Sequence, residues 1–418
     1  MGDLVIRNAT LWDGTSADPR PRTTVVMRDG EVAWIGPDDA PGAPVDVDRD
    51  LDAGGRWLMP GLIDLHVHLT LDPRETDFLR VAAQLPVAEA AFRGAHHARL
   101  MLEAGFTGAR DLGAYGDANV AVKRAIDNGW VRGPRLATSG VFITVRGGHG
   151  DLPLRREVAI DQGVAVSGVE CVREAVRSRA HRGADWIKVL ATAGVMTGGG
   201  APMGACLWED DELVAAVRTA TRLGRRVAAH AHGADGILAA ANAGVATIEH
   251  VTMADTRAID AMARHGTTLV PTFSAAQAVY REAEAGRLSP SSAAFALTIG
   301  PRHRESFRMA LDAGVTIGFG TDIGVPGTEF GANAAEFRTM VAAGMAPADA
   351  LRAATSVAAS ILGWPKAGMI APGQWADAIL VDGDPIADVG VLADRSRVHL
   401  VVKSGVIEAD RRPERPSA

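Results

Sequence analysis

Leu62-Ile63-Asp64-Leu65-His66-Val67-His68-Leu69 is a short apolar run interrupted only by an aspartate and two histidines. Near-continuous hydrophobicity over so few residues, without strict alternation, reads as a strand buried on both faces, the kind found in parallel sheets. Working outward, the texture recurs at Thr107–Leu112, Arg135–Phe142, Asp185–Ala191, Arg226–Ala231, Ala246–Val251, Thr267–Thr272 and Val315–Thr321, giving eight runs in all. Ala-rich helical stretches separate them. Several runs are introduced alike, by Glu103-Ala104-Gly105, Asn242-Ala243-Gly244, Arg264-His265-Gly266 and Asp312-Ala313-Gly314, each glycine standing where a helix C-cap precedes a strand. Alternating strands and helices over roughly 300 residues predict an α/β fold, a (β/α)8 TIM barrel.

The flanks read differently. Residues 4–11, 23–28 and 31–35 near one end, and 377–382 and 398–407 near the other, are short β segments with turn residues between them. They predict a small β-sandwich domain formed by both chain termini, so that the expected domains are 1–59 and 368–418 for the sandwich and 60–367 for the barrel. The chain has 418 residues, 43 Lys plus Arg against 50 Asp plus Glu, and a net charge of −7. That balance offers no basic footprint for nucleic acid or anionic membrane, which leaves a small-molecule substrate as the expected partner, in a homo-oligomer. Two cysteines, Cys171 and Cys206, rule out a disulfide scaffold or a Cys-rich zinc site. With no basic leader before an apolar stretch and no 18-residue apolar window, the expected location is the cytoplasm.

The chemistry gathers at the ends of the predicted strands, the rim where barrels of this type build active sites. His66 and His68 stand two apart, so both imidazoles leave one face of the strand and can share a metal. His230, His250 and Asp322 each follow an apolar run. His232 shares the face of His230 and competes with it as a ligand; we expect His230 to coordinate and His232 to lie farther out, toward the substrate. Lys188 sits inside a run predicted to be buried, where an unpaired ammonium is expensive. Burial would lower its pKa and leave a neutral amine able to add carbon dioxide, giving a carbamate on Lys188 able to bridge two cations. His149, on a glycine-bearing loop, is a candidate to hydrogen-bond a substrate carbonyl or carboxylate, and Arg146 beside it to form a bidentate pair with a carboxylate. Thr197-Gly198-Gly199-Gly200 is read as a mobile lid, since no phosphate-binding motif surrounds it.

Taken together, Pro60-Gly61-Leu62-Ile63-Asp64-Leu65-His66-Val67-His68, Lys188, His230, His250 and Gly320-Thr321-Asp322 resemble the metal-dependent amidohydrolase superfamily. The segments at 140–151, 186–197, 228–233, 246–250 and 369–385 are similar to its branch of Xaa-Pro and Xaa-basic dipeptidases and ochratoxin-type amidases, distantly related to imidazolonepropionase. The resemblance implies two divalent metal ions, zinc being expected. His66 and His68 would hold one and His230 and His250 the other, with the Lys188 carbamate between them. Asp322 would bind the first metal and act as general base and acid for a bridging hydroxide that attacks an amide or peptide bond. The implied substrate is small and carboxylate-bearing, a dipeptide or N-acyl amino acid. A cyclic-amide or lactone hydrolase, or an aminohydrolase like imidazolonepropionase, is the alternative; a non-catalytic scaffold is the remote one, although every ligand position is filled. One departure stands out: Glu329-Phe330-Gly331 replaces a His-Gly pair common after the last aspartate, and Phe330, with Trp208 and Met196, is expected near the pocket. The remaining histidines, His96, His97, His181, His265, His303 and His399, are expected to be structural or superficial.

Overall fold

The computed structural model describes residues 3–16, 18–38, 40, 48–152, 164–195, 201, 202 and 204–412. In chain order the strands are β1 (Leu4–Leu11), β2 (Arg20–Arg28), β3 (Glu31–Pro37), β4 (Arg49–Asp52), β5 (Trp57–Pro60), β6 (Leu62–Val67), β7 (Phe106–Asp111), β8 (Arg135–Thr138), β9 (Ile143–Val145), β10 (Val164–Val166), β11 (Trp186–Leu190), β12 (Arg226–Gly233), β13 (Thr247–Met253), β14 (Thr268–Val270), β15 (Ala378–Val381), β16 (Val398–Lys403) and β17 (Val406–Asp410). Two compact units divide the chain: Met1–Asp64, Arg99–Gly108 and Gly331–Ala418 form one, Leu65–Ala98 and Ala109–Phe330 the other.

In the first unit the strands run β17-β16-β15-β5-β1-β2-β3, with β4 also on β1. Both ends of the chain meet where β15 pairs antiparallel with β5, Ala378 opposite Pro60 and Leu380 opposite Leu58. Residues two apart face one core: Leu4 and Ile6, Val25 and Met27, Ala378 and Leu380, Leu400 and Val402. Three details differ from expectation. All eight strands belong to one hydrogen-bonded sheet, so the sandwich reading holds only in that both ends feed a common core. β4 and β5, which the sequence reading did not single out as strands, pair with β1 in parallel. The run 398–407 is two strands, because Ser404, at φ 48°, and Gly405, at φ 75°, turn the chain between β16 and β17.

The second unit carries parallel strands with helices between them. One sheet, parallel throughout, runs β10-β9-β11-β12-β13-β14; β6-β7-β8 form another, with residues 62–64 of β6 and 106–108 of β7 counted in the first unit. Asp185 N donates to Thr138 O (2.7 Å), connecting β8 to the residue before β11. The predicted eighth run is not a regular strand; instead residues 315–323 hydrogen-bond on both sides. Leu269 N donates to Thr316 O (2.9 Å) and Leu65 N to Phe319 O (2.9 Å). Glycine is needed there, since a Cβ on Gly320 would stand 2.4 Å from Val270 Cγ1 and 3.1 Å from His66 N. The third run breaks as well: β8 stops at Thr138, Gly140 takes φ 63°, and the chain resumes as β9. Strands β7, β11 and β13 are buried at every position, as runs covered on both faces must be. Gly244 and Gly266 are the left-handed caps read from the sequence, at φ 87° and 65°. No helix among the described residues is long and apolar enough to cross a membrane. Cys171 and Cys206 are free thiols.

Candidate functional site

The histidines that end the predicted strands converge on one cavity of the second unit, together with Lys188 from the middle of β11 and Asp322 from segment 315–323. His66 Nε2 and His68 Nε2 lie 3.3 Å apart, and both reach Asp322 Oδ1, at 3.3 and 3.1 Å. Facing them, the rings of His230, His232 and His250 pack with centroids 4.5 to 4.9 Å apart. Each of these two triplets is compact enough to hold a metal ion. The backbone is strained where it delivers these groups: His250, Val251, Thr272 and Asp322 adopt φ of 76°, 54°, 54° and 57°. Such left-handed conformations at residues other than glycine cost of order 1–3 kcal/mol each and gather at functional sites.

Hydrogen bonds fix the imidazoles from behind. His66 Nδ1 donates to Glu249 Oε2 (2.9 Å), His68 Nδ1 to Gly113 O (3.0 Å), and His250 Nδ1 to Thr272 Oγ1 (2.7 Å). With the proton held on Nδ1, the Nε2 lone pair of each ring is left free for a cation. Glu249 is fully buried and also takes Arg110 Nη2 (3.0 Å) and Thr247 Oγ1 (2.5 Å). Arg110, equally buried, donates from Nε to Leu65 O (2.7 Å) and lies 4.4 Å over the Trp186 ring. Burial alone would raise the Glu249 carboxyl, but Arg110 and His66 bring it down to about 2. Neither Glu249 nor Arg110 was singled out in the sequence. Their only signal there is a charged residue inside an apolar run.

Electrostatics favour a cation. Burial, with Lys188 nearby, lowers His66 to about 4; burial holds His230 and His250 well below the ordinary histidine value. His68 goes the other way: burial would lower it, but the hydrogen bond and charge of Asp322 raise it. Asp322 itself, despite burial, is kept below the usual carboxylate range by His66, His68 and Lys188. Burial brings Lys188 down to about 8, the direction expected for a reactive amine. Lys188 Nζ and His230 Nε2 are buried without a hydrogen-bond partner. Orphaned polar atoms of this kind, in a cluster of neutral imidazoles with one carboxylate, fit the donor set of a cation site.

Several expectations are placed elsewhere. His230 and His232 both belong to the second triplet, so the geometry does not rank one above the other; His232 is tied through Nδ1 to Thr252 Oγ1 (2.9 Å). His149 does line the cavity, stacked on His230 at 4.7 Å. Arg146 is exposed and is not among the described residues that line it. Phe330 is not at the pocket either: it is buried against His97, ring on ring at 3.9 Å. Trp208 donates from Nε1 to Leu190 O (2.7 Å) and likewise stays out of the lining. Met196 and the glycine stretch 197–200 lie outside the described residues. His303, expected to be structural, is the histidine the sequence reading missed, since it lines the cavity from helix Pro290–Asp312. The signal available was its place on the buried stripe Phe295, Ile299, His303, Phe307.

Comparison with known proteins agrees with this geometry. The sequence matches the model of the amidohydrolase family over residues 57–407. It is 35% identical over 371 residues to ochratoxinase of Aspergillus niger, covering 83% of this chain and 75% of that one. A crystal structure of a Xaa-Pro dipeptidase with bound methionine in the active site superposes with a TM-score of 0.88 at 33% identity, covering 97% of this chain and 99% of the other. Imidazolonepropionase of Salinispora arenicola is 26% identical over 429 residues, covering 97% and 94% of the two chains.

Proposed function

The chain belongs to the amidohydrolase family and is a hydrolase of carbon–nitrogen bonds; on that premise we propose that it cleaves the amide or peptide bond of a small carboxylate-bearing molecule, a dipeptide or N-acyl amino acid, ochratoxin-like amides included. The observation that carries this reading is the meeting of His66, His68, His230, His250 and Asp322 in one cavity around the buried, unpartnered Lys188 Nζ. We take the eight predicted runs as one (β/α)8 barrel over residues 60–367, with 1–59 and 368–418 as the second domain.

His66, His68 and Asp322 would hold one divalent cation and His230 and His250 another, zinc by the chemistry of the donors, with a carbamate on Lys188 between them. Bound there, such cations would supply Lewis-acid polarisation of a carbonyl and a water whose pKa falls from about 15.7 toward 7. The chain's own groups supply the rest. Asp322, ionised at neutral pH, takes a proton from the attacking water and returns it to the departing amine. His149 and His232, which line the same cavity, would contact the substrate, His149 by a hydrogen bond to its carbonyl oxygen or carboxylate. Arg146, exposed and outside the lining, has no part in this proposal.

The test is a screen of N-acyl amino acids and dipeptides, with zinc and bicarbonate supplied. Release of the free amino acid is expected. Failure across the whole set, with cyclic ureas or lactones opened instead, would replace this reading with that of a cyclic-amide hydrolase.

A further inference from the structure

Strand β6 ends at Val67, so His68, which completes the first triplet, stands where the regular strand has run out. Its backbone N still donates to Ile323 O (2.8 Å). The next residue, Leu69, is fully buried, and both of its backbone groups are taken by side chains. Its N–H donates to Asp111 Oδ2 (2.9 Å), and its carbonyl accepts from His97 Nδ1 (2.7 Å). Asp111, equally buried, also accepts from Gly113 N (3.1 Å) and Asn119 Nδ2 (2.7 Å). Gly113 O is the acceptor that orients the His68 ring, and a Cβ on Gly113 would stand 3.1 Å from His68 Cε1. One carboxylate therefore ties the peptide after His68 to the turn that aims its imidazole. His97 supplies a second tie. It projects from helix Val87–Glu103, and its ring lies on Phe330 with the planes 10° apart. The stack fixes the ring plane, while the Leu69 carbonyl, which can only accept, fixes the proton on Nδ1. Neither His97 nor Phe330 is among the described residues that line the cavity, so their route to the site runs through Leu69.

Resting on the cation site proposed above, we propose that His97 is a positioning residue for His68. Its N–H, with the Asp111 carboxylate, pins the segment that follows this ligand, and the Phe330 ring holds His97 to that task. Ligand geometry has to be kept within a fraction of an ångström, and groups behind the ligands do this when their own conformations are locked by packing and hydrogen bonds. The departure at Glu329-Phe330-Gly331 then acts behind the site and not in the pocket.

The test compares His97→Phe with His97→Asn in the full-length protein. Phenylalanine keeps a ring on Phe330 and loses the donor; asparagine forfeits the stack and keeps an N–H close to the place of Nδ1. In competition with a fluorescent chelator, zinc should be held about tenfold more weakly by His97→Phe and within about threefold of the parent by His97→Asn. A packing role alone would give the reverse order. In metal-free protein carrying heavy nitrogen in its histidines, the His68 Nδ1–H, assigned by its absence from His68→Gln, should give a slowly exchanging magnetic-resonance signal. That signal should vanish in His97→Phe and persist in His97→Asn. Its survival in His97→Phe, or zinc bound no better by His97→Asn than by His97→Phe, would overturn the proposal. A parent that takes up no zinc, with a His68 signal that still depends on the His97 donor, would uphold the positioning role and sink the cation reading instead.

Discussion

Replacing Arg110 by methionine tests the support behind the site. The guanidinium and Glu249 are both fully buried, 3.0 Å apart, and Arg110 also holds Leu65 O and Thr247 Oγ1. Removing the cation strands a carboxylate in a medium that cannot solvate it, an uncompensated charge that costs about 3–5 kcal/mol. With a urea slope of roughly 3–4 kcal/mol/M for a chain of this size, the unfolding midpoint should fall by about 1 M. The second step is the decisive one. Arg110→Met combined with Glu249→Gln removes both charges, and most of the lost stability should return, because a neutral pair no longer needs the desolvation of an ion to be offset. Zinc affinity should not return with it, since His66 Nδ1 then donates to a neutral amide; a loss of about 10- to 100-fold is expected for a weakened partner of a ligand histidine. Urea titration followed by circular dichroism, and zinc competition against a fluorescent chelator, read the two quantities separately. Stability of Arg110→Met within 1 kcal/mol of the parent, or a double variant no more stable than the single, would refute the reasoning.

Asp322→Asn should lower turnover by about 10²- to 10⁴-fold, the usual share of a general acid–base group, while metal stays bound; an unchanged kcat would remove Asp322 from proton transfer. Lys188→Ala should empty at least one cation position, and full occupancy by elemental analysis would refute the carbamate bridge. Acid should weaken the fold through Glu249. Its carboxyl is depressed from 4.5 to about 2, so its stabilisation is present above about pH 4.5 and is lost as pH falls through 2. Unfolding of Glu249→Gln should therefore depend less on pH across that window than unfolding of the parent, and parallel curves would contradict the assignment. Gly320→Val should fail to fold or melt far below the parent, because its Cβ would collide with Val270. A soluble variant with the parental melting temperature would show the close approach to be unimportant.

What the sequence made legible was whatever short-range pattern controls. Seven of the eight apolar runs contain strands, because hydrophobicity over a few residues is a local property. The eighth run, rich in glycine, lacks the side chains that favour a regular strand, and it bonds to its neighbours through isolated bridges instead. The histidines were legible because each closes a run. Glu249 and Arg110 were not, since a pair 139 residues apart leaves no local trace beyond a charge where apolar residues belong. His303 was hidden by its helix, and β4, Arg49-Asp50-Leu51-Asp52, by its polarity: it pairs with β1 while Asp50 binds Arg7 at the exposed edge. Phe330 was misplaced because distance along the chain from Asp322 says nothing about its partner, His97, which lies far earlier in the sequence.

The central claim, a pair of cations gathered by these strand ends, is tested most directly by counting metal. Protein purified without chelator, reconstituted with zinc and bicarbonate and desalted, should carry two equivalents per chain by elemental analysis. One equivalent would contradict the paired arrangement, and none would contradict the metal-dependent hydrolase altogether.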